Sequence, residues 1–200
     1  MALTDGRYVT GAQLLAHVGI TTATAAEELR LQIALDSAED MVDDWCQRTF
    51  TVPSQTSTRT YATIDAYVLQ VDDIGSTTSL AIVDGSDTLV SGDYQLEPLN
   101  ADKRGRPWTQ IRRLGTTWDI PTNARQATIT VTARHGWPAI PDQVRRAALA
   151  AAGWLFTGAT APLGVAGVNE FGPMRLSAMA PLVVPLLSDY RRGDRSFGLA

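Results

Sequence analysis

Across the seven residues Gly136-Trp137-Pro138-Ala139-Ile140-Pro141-Asp142 the hydrophobic period of the chain switches from about 2 to about 3.6. Upstream, Thr128, Ile129, Thr130, Val131 and Thr132 alternate as a half-buried strand does. Downstream, Val144, Ala148, Ala151 and Leu155 recur at helical spacing in an Ala-rich run from Gln143 to Phe156, where small side chains let another backbone approach closely. Pro141 suits the first helical position, because its missing N–H would have no intrahelical acceptor, and Asp142 faces the positive end of the helix dipole. Gly136, Trp137, Pro138 and Pro141 therefore mark the corner at which a sheet gives way to a packed helix. Arg145 and Arg146 fall off the apolar stripe and face solvent or a partner.

The N-terminal quarter is helical by its own signals. Thr10 with Gln13 forms a capping box, Val9 can staple onto Leu14, and Gly19 supplies a left-handed stop. Thr24 with Glu27 opens a second, longer helix reaching about Gln47. Its seam is Leu31, Leu35, Ala38, Val42 and Trp45, and its back is acidic: Asp36, Glu39, Asp40, Asp43 and Asp44. With no histidine among them, these carboxylates read as a solvated face rather than a metal site.

From about Ser57 the period is two. Tyr67, Leu69 and Val71 alternate, Leu80 to Val83 is a short apolar run before the turn pair Asp84-Gly85, and Tyr94, Leu96 and Trp108 to Leu114 continue the pattern. Asp84-Gly85-Ser86-Asp87 lacks the later acidic positions of a calcium loop and reads as a turn. The expected fold is α+β: a helical core made of the N-terminal helix pair and the Ala-rich helix, an inserted antiparallel β lobe and an extended C-terminal arm. In residues this is a helical part over 1–56, the β lobe over 57–135, the core helix over 136–157, and a flexible linker with a docking arm over 158–200. The Gly- and Ala-rich stretch 157–167 is too sparse in large side chains for a packed element. Pro181 and Pro185 limit any helix in the apolar run Met179 to Leu187 to short turns, and Gly193 to Ala200 reads as frayed.

Chemistry-bearing patterns are few. His17 and His135 stand apart from any triad or H-E-x-x-H pattern, and no phosphate loop, nucleophile elbow or paired cysteine motif is present. The expected protein is not an enzyme and uses neither metal nor cofactor. Cys46 is the sole cysteine, which excludes an intrachain disulfide, suits a reducing compartment and reads as a small buried residue. The longest apolar runs fall short of a membrane span, and Met1-Ala2-Leu3-Thr4-Asp5 lacks the pattern of an export signal, so neither export nor membrane insertion is expected.

Charge is divided along the chain. Residues 1–100 carry four Arg against fifteen acids, net −11, and residues 101–200 carry thirteen Lys and Arg against six acids, net +7. The two signs either pair within one subunit or let an acidic face of one copy meet a basic face of the next. In the second case Asp36, Asp40, Asp43 and Asp44 on one side, with Arg145 and Arg146 on the other, are the candidate contacts. The most basic stretch is Lys103-Arg104-Gly105-Arg106-Pro107-Trp108, followed by Arg112 and Arg113. It is open to reading as a solvated loop, a subunit contact or a nucleic-acid surface.

The order of these parts resembles the head-to-tail connector, or adaptor, family of tailed bacteriophages. The resemblance rests on His135-Gly136-Trp137-Pro138-Ala139-Ile140-Pro141-Asp142-Gln143-Val144 leading into the Ala-rich helix. Supporting it are Asp93-Tyr94-Gln95-Leu96 with Gly105-Arg106-Pro107-Trp108, and the tail from Gly164-Val165-Ala166-Gly167 to Leu186-Leu187-Ser188-Asp189-Tyr190-Arg191. It implies a structural virion protein at the head–tail junction of the capsid vertex, assembled in the host bacterial cytoplasm. Such a protein forms a homo-oligomeric ring, of twelve, between the portal and the stopper or tail-completion protein, and genomic DNA passes through without tight specific binding. By the same resemblance, the helices at 24–47 and 141–156 build the ring, and the arm over 171–195 docks on the portal through Phe171, Met174, Leu176, Leu182, Leu186, Leu187, Tyr190, Arg191 and Arg192. Two alternatives remain open: a stopper or tail-completion protein of the same junction, and a nucleic-acid-binding accessory protein using residues 103–113.

Overall fold

Both capping boxes form. Thr10 Oγ1 accepts the Gln13 N–H at 3.2 Å while Gln13 Oε1 accepts the Thr10 N–H at 2.9 Å, opening α1 (Gly11–Val18). Thr24 and Glu27 make the same exchange at the start of α2 (Ala25–Cys46). In the computed structural model, residues 3–120, 127–160, 165–169, 172–175 and 179–192 are described, with side chains over 3–120, 127–158 and 183–192. The fold is α+β, and the chain divides into two compact units: residues 1–50 with 140–200, and residues 51–139.

The first unit is helical. Besides α1 and α2 it holds α3 (Asp142–Thr160), the hairpin β7 (Val165–Asn169) and β8 (Gly172–Arg175), and α4 (Met179–Leu187), followed by a 3-10 turn at Ser188–Tyr190. The central helix is α3, which touches α1, α2 and α4. Leu14, Leu31, Leu35, Ala38, Val42, Val144, Ala148 and Ala151 are buried, as the helical spacings require. Pro141 lies one position earlier than expected: its carbonyl accepts the Arg145 N–H at 3.2 Å, so it caps a helix whose first residue is Asp142.

Several expectations for this unit are corrected. Trp45 is 42 % exposed, and Cys46, one residue on, takes the buried place at the end of the α2 seam. Burial pushes the Cys46 thiol up to about 11, so the side chain behaves as a small apolar group. Within the stretch expected to lack packed structure, α3 continues to Thr160 and Val165 opens β7. Met179–Leu187 is a nine-residue helix despite its prolines. Pro181 stands in its first turn, where an N–H would have no acceptor, so only Pro185 removes a helix bond.

The second unit is an antiparallel sheet, six-stranded among the described residues, in the order β1-β6-β2-β5-β4, with β3 paired to β2. Its strands are β1 (Ser57–Tyr61), β2 (Val68–Asp84), β3 (Asp87–Thr88), β4 (Tyr94–Glu97), β5 (Trp108–Arg113) and β6 (Ile129–His135). Along β6, Ile129, Val131, Ala133 and His135 are buried and their neighbours are half-exposed, the alternation expected from the sequence. The 68–71 and 80–83 runs belong to one long strand rather than two. β2 pairs with β5 from Val68↔Arg112 and with β6 as far as Asp84↔Ile129, and its register shifts between Ser76 and Ala81, where Ser79 takes a φ of 59°. A bulge absorbs the extra residues and bends the strand where a turn would have ended it.

His135 closes β6 at 9 % exposure, and burial, reinforced by the Arg59 charge, holds its imidazole below the usual histidine range. The unfolded ring titrates near pH 6.5, so the stability tied to the neutral ring is present above about pH 6.5 and is lost as the pH falls through the lower folded value. Urea unfolding followed from about pH 8 to about pH 5 is expected to show a falling midpoint, with a shallower fall in His135→Gln. Equal slopes in the two proteins would remove His135 as the cause.

Candidate interaction surfaces

The acidic back of α2 splits into an inner and an outer set, a correction to the solvated face expected. Glu39 is 1 % exposed. Its Oε1 accepts the backbone N–H groups of Tyr8 at 2.8 Å and Val9 at 3.3 Å, and its Oε2 accepts the Arg7 N–H at 2.8 Å. The residues ahead of α1 thus hang their otherwise orphaned donors on one carboxylate. Asp43 is half-buried beside it, taking the Tyr8 hydroxyl and Arg7 Nη1, the latter at 2.8 Å. Burial raises its carboxyl above the usual range, against the pull of Tyr8 and Arg7. Tyr8 in turn accepts the Phe50 N–H at 3.0 Å, and burial followed by the Asp43 contact pushes its phenol upward. Asp36, Asp40 and Asp44 are left outward, Asp40 also touching Arg7.

The basic candidates stand on the first turns of α3. Arg145 and Arg146 are exposed, and Arg145 is held only loosely, with Nη1 3.9 Å from Asp142 Oδ1. They rim a groove between α1 and α3 of about 640 Å³, whose other lining residues include Val9, Gln13, Ala16, His17 and Leu149.

Of the docking candidates, Phe171 and Leu176 lie outside the described residues, and Met174 and Leu182 are placed by backbone alone, in β8 and α4. Leu187 is 1 % exposed and Leu186 half-buried. The Tyr190 ring meets Phe50 edge-on at 6.0 Å, and its hydroxyl donates to Gln143 Oε1 at 2.9 Å. The Arg191 guanidinium lies 5.4 Å from the centre of the Trp45 ring, and the Arg192 N–H donates to the Cys46 carbonyl at 2.9 Å. Residues 187–192 are therefore seated on the helical unit.

At the corner, the Gly136 N–H donates to the Asp73 carbonyl at 2.7 Å and the Trp137 N–H to the Thr51 carbonyl at 2.8 Å, while Trp137 Nε1 reaches Asp73 Oδ2 at 3.1 Å. Pro138 lies half-buried next to the last residue of the same unit, Ala139, and Pro141 is the second residue of the returning helical unit. In the basic stretch, Arg112 is spent on Glu97 through two bonds, at 2.7 and 3.3 Å, which hold the Glu97 carboxyl below its usual range. Arg113 lies against the Trp118 ring at 5.8 Å. Lys103 and Arg104 are exposed.

Sequence reasoning passed over Arg7 and Tyr8 and read Glu39 as one more solvated acid, because their partners are some thirty residues away. It also passed over the exposed apolar residues Leu29, Ile33 and Met41 on α2, which share an i+4 row with Trp45, a residue it had placed in the buried seam. Among the described residues no group of three or more His, Cys, Asp or Glu could hold a metal ion, and no helix is long and apolar enough to cross a membrane.

No family model and no curated protein matches the chain. Its fold is similar to that of a chain in the neck of an empty gene transfer agent (GTA) particle computed with C6 symmetry: TM-score 0.51, 19 % identity, covering 91 % of this chain and 88 % of that one. A chain in the virion of the native GTA particle is similar at TM-score 0.51 and 18 % identity, covering 95 % and 92 %. At such identities the likeness is one of fold, and it runs through nearly the whole length of each chain.

Proposed function

We propose that this chain is a non-catalytic virion protein of the head–tail neck, forming a ring that joins the portal to the next neck or tail protein and lengthens the DNA channel. The observation that carries the reading is the near-full-length fold likeness to a particle-neck chain. The connector-like order of parts around Gly136 to Val144 points to the same place independently. The C6 symmetry of that neck is compatible with six copies or a multiple of six, the twelve of the connector resemblance among them. The helical unit would build the ring, the β lobe would face outward or toward the tail, and the segment after α3, anchored on the helical unit by α4 and residues 187–192, would present the portal contact. Assembly would take place in the host cytoplasm.

Native mass spectrometry of the full chain, alone and mixed with the portal of its own particle, tests this. Truncating the arm is a poor probe, because Val183 and Leu187 belong to the buried core of the helical unit. Phe171→Asp, Leu176→Asp and Arg191→Glu are the better variants. A ring, or subunits held on the portal and released by those changes, is the expected result. A monomer indifferent to the portal would overturn the reading.

A further inference from the structure

On α2, Leu29, Ile33, Met41 and Trp45 are 51 %, 58 %, 41 % and 42 % exposed. With Ser37 between Ile33 and Met41 they occupy every fourth position of an i+4 row that turns by about 40° at each step, so Ile33 and Met41 form its middle, while Trp45 at its end carries the Arg191 guanidinium against its ring. Single apolar residues on a surface are commonplace, but a ridge of four large ones on one helix is a contact surface awaiting its counterpart. The helix does not need it for its own core, because Leu31, Leu35, Ala38 and Val42 already provide that face. On the flanking i+4 row stand the outward carboxylates Asp36, Asp40 and Asp44.

The counterpart has the complementary make-up. The groove between α1 and α3 offers Ala16 and Leu149 as apolar lining above the buried Val9, and its charged lining is Arg145, Arg146 and one acid, Asp142. Its volume of about 640 Å³ has room for several side chains of a ridge. We propose that the α2 ridge of one copy seats in the α1–α3 groove of the next, with Asp36, Asp40 and Asp44 meeting Arg145 and Arg146. Ridge and groove are different surfaces of the same unit, so the contact is heterologous and each copy keeps one unused half for a further neighbour. It propagates head to tail and closes into a ring when the rotation between neighbours divides a full turn. The assignment rests on the ring reading above and specifies its interface.

Two variants separate the halves: Ile33→Glu with Met41→Glu on the ridge, and Arg145→Glu with Arg146→Glu at the groove. All four residues are exposed, and thermal unfolding curves matching the unchanged chain confirm that the fold is kept. Self-association is measured by sedimentation velocity and native mass spectrometry on the full chain, alone up to millimolar concentration and mixed with the portal. Each variant is expected to associate ~100-fold more weakly than the unchanged chain, the ridge variant by burying charge at a central contact and the groove variant by setting like charges against Asp36, Asp40 and Asp44. Mixed one to one, they should yield a heterodimer that grows no further, because each supplies the half the other lacks. Reversing both sides in one chain, with Asp36→Lys, Asp40→Lys and Asp44→Lys added to the two arginine changes, should restore assembly. If the unchanged chain forms rings and both variants do so equally well, the interface assignment falls while the ring reading stands. If the unchanged chain forms no ring in either setting, both fall.

Discussion

Glu39→Ala is expected to lower the stability of the helical unit by about 3–5 kcal/mol, the range for removing one partner of a buried charged cluster. Three backbone N–H groups, those of Arg7, Tyr8 and Val9, lose their acceptor at once, and Arg7 Nε loses a carboxylate at 3.4 Å. Each donor left unsatisfied in the interior costs about 1–3 kcal/mol, so relaxation of the N-terminal segment must soften the sum. Asp40→Ala is the control. Asp40 also contacts Arg7, but its side chain is 72 % exposed, and such a pair contributes about 1 kcal/mol or less. Glu39→Gln should fall between, since its amide oxygen can still accept while its NH₂ opposes the remaining donors. Urea unfolding followed by the helical circular dichroism signal checks the order. Equal midpoints for Glu39→Ala and Asp40→Ala would show that the carboxylate does not anchor the segment.

The same residue marks where sequence reasoning stops. Thr10, Thr24, Gly19 and the β6 alternation were legible because their partners lie within a few positions, so the pattern and the physics occupy the same window. Glu39 looks like one more acid on a polar face, and only the return of the chain at Arg7 to Val9 makes it an acceptor for backbone. The bend in β2 was hidden for a related reason: Ser76-Thr77-Thr78-Ser79 has the composition of a loop, and pairing with β6 overrides it. In the tail, Leu187 and Tyr190 were apolar or aromatic enough to suggest docking, and they are seated on the helical unit. Apolar character calls for a surface to cover without saying on which molecule that surface lies. Arg145 and Arg146 were legible as outward-facing because they fall off the stripe of Val144 and Ala148. The ridge on α2 went unread because the stronger seam beside it accounted for the helix.

Gly136→Ala is expected to destabilise the β unit by roughly 3 kcal/mol or more, combining a strained backbone with a steric clash. Gly136 has a φ of 149°, a conformation that side-chain-bearing residues rarely adopt, and a Cβ there would sit 2.4 Å from the Thr51 carbonyl oxygen. That oxygen belongs to backbone and also accepts the Trp137 N–H, so it cannot swing aside without breaking the bond. The opposite approach is also tight, since a Cβ on Gly75 would lie 2.9 Å from the Gly136 carbonyl oxygen. Gly19→Ala separates the two contributions. Gly19 has a φ of 73° with nothing within 4 Å of the added carbon, so its cost is conformational alone, about 1 kcal/mol. Trp137→Phe tests the neighbouring element by keeping most of the packing and deleting the donor to Asp73, a buried carboxylate, for about 1.5–3 kcal/mol. Unfolding read by tryptophan fluorescence should place Gly136→Ala well below Gly19→Ala. If the two cost the same, the corner tolerates a side chain, and the glycine there reflects only a turn preference. If Gly136→Ala costs more, the close approach of the Thr51, Gly75 and Gly136 backbone segments admits only glycine at the end of β6.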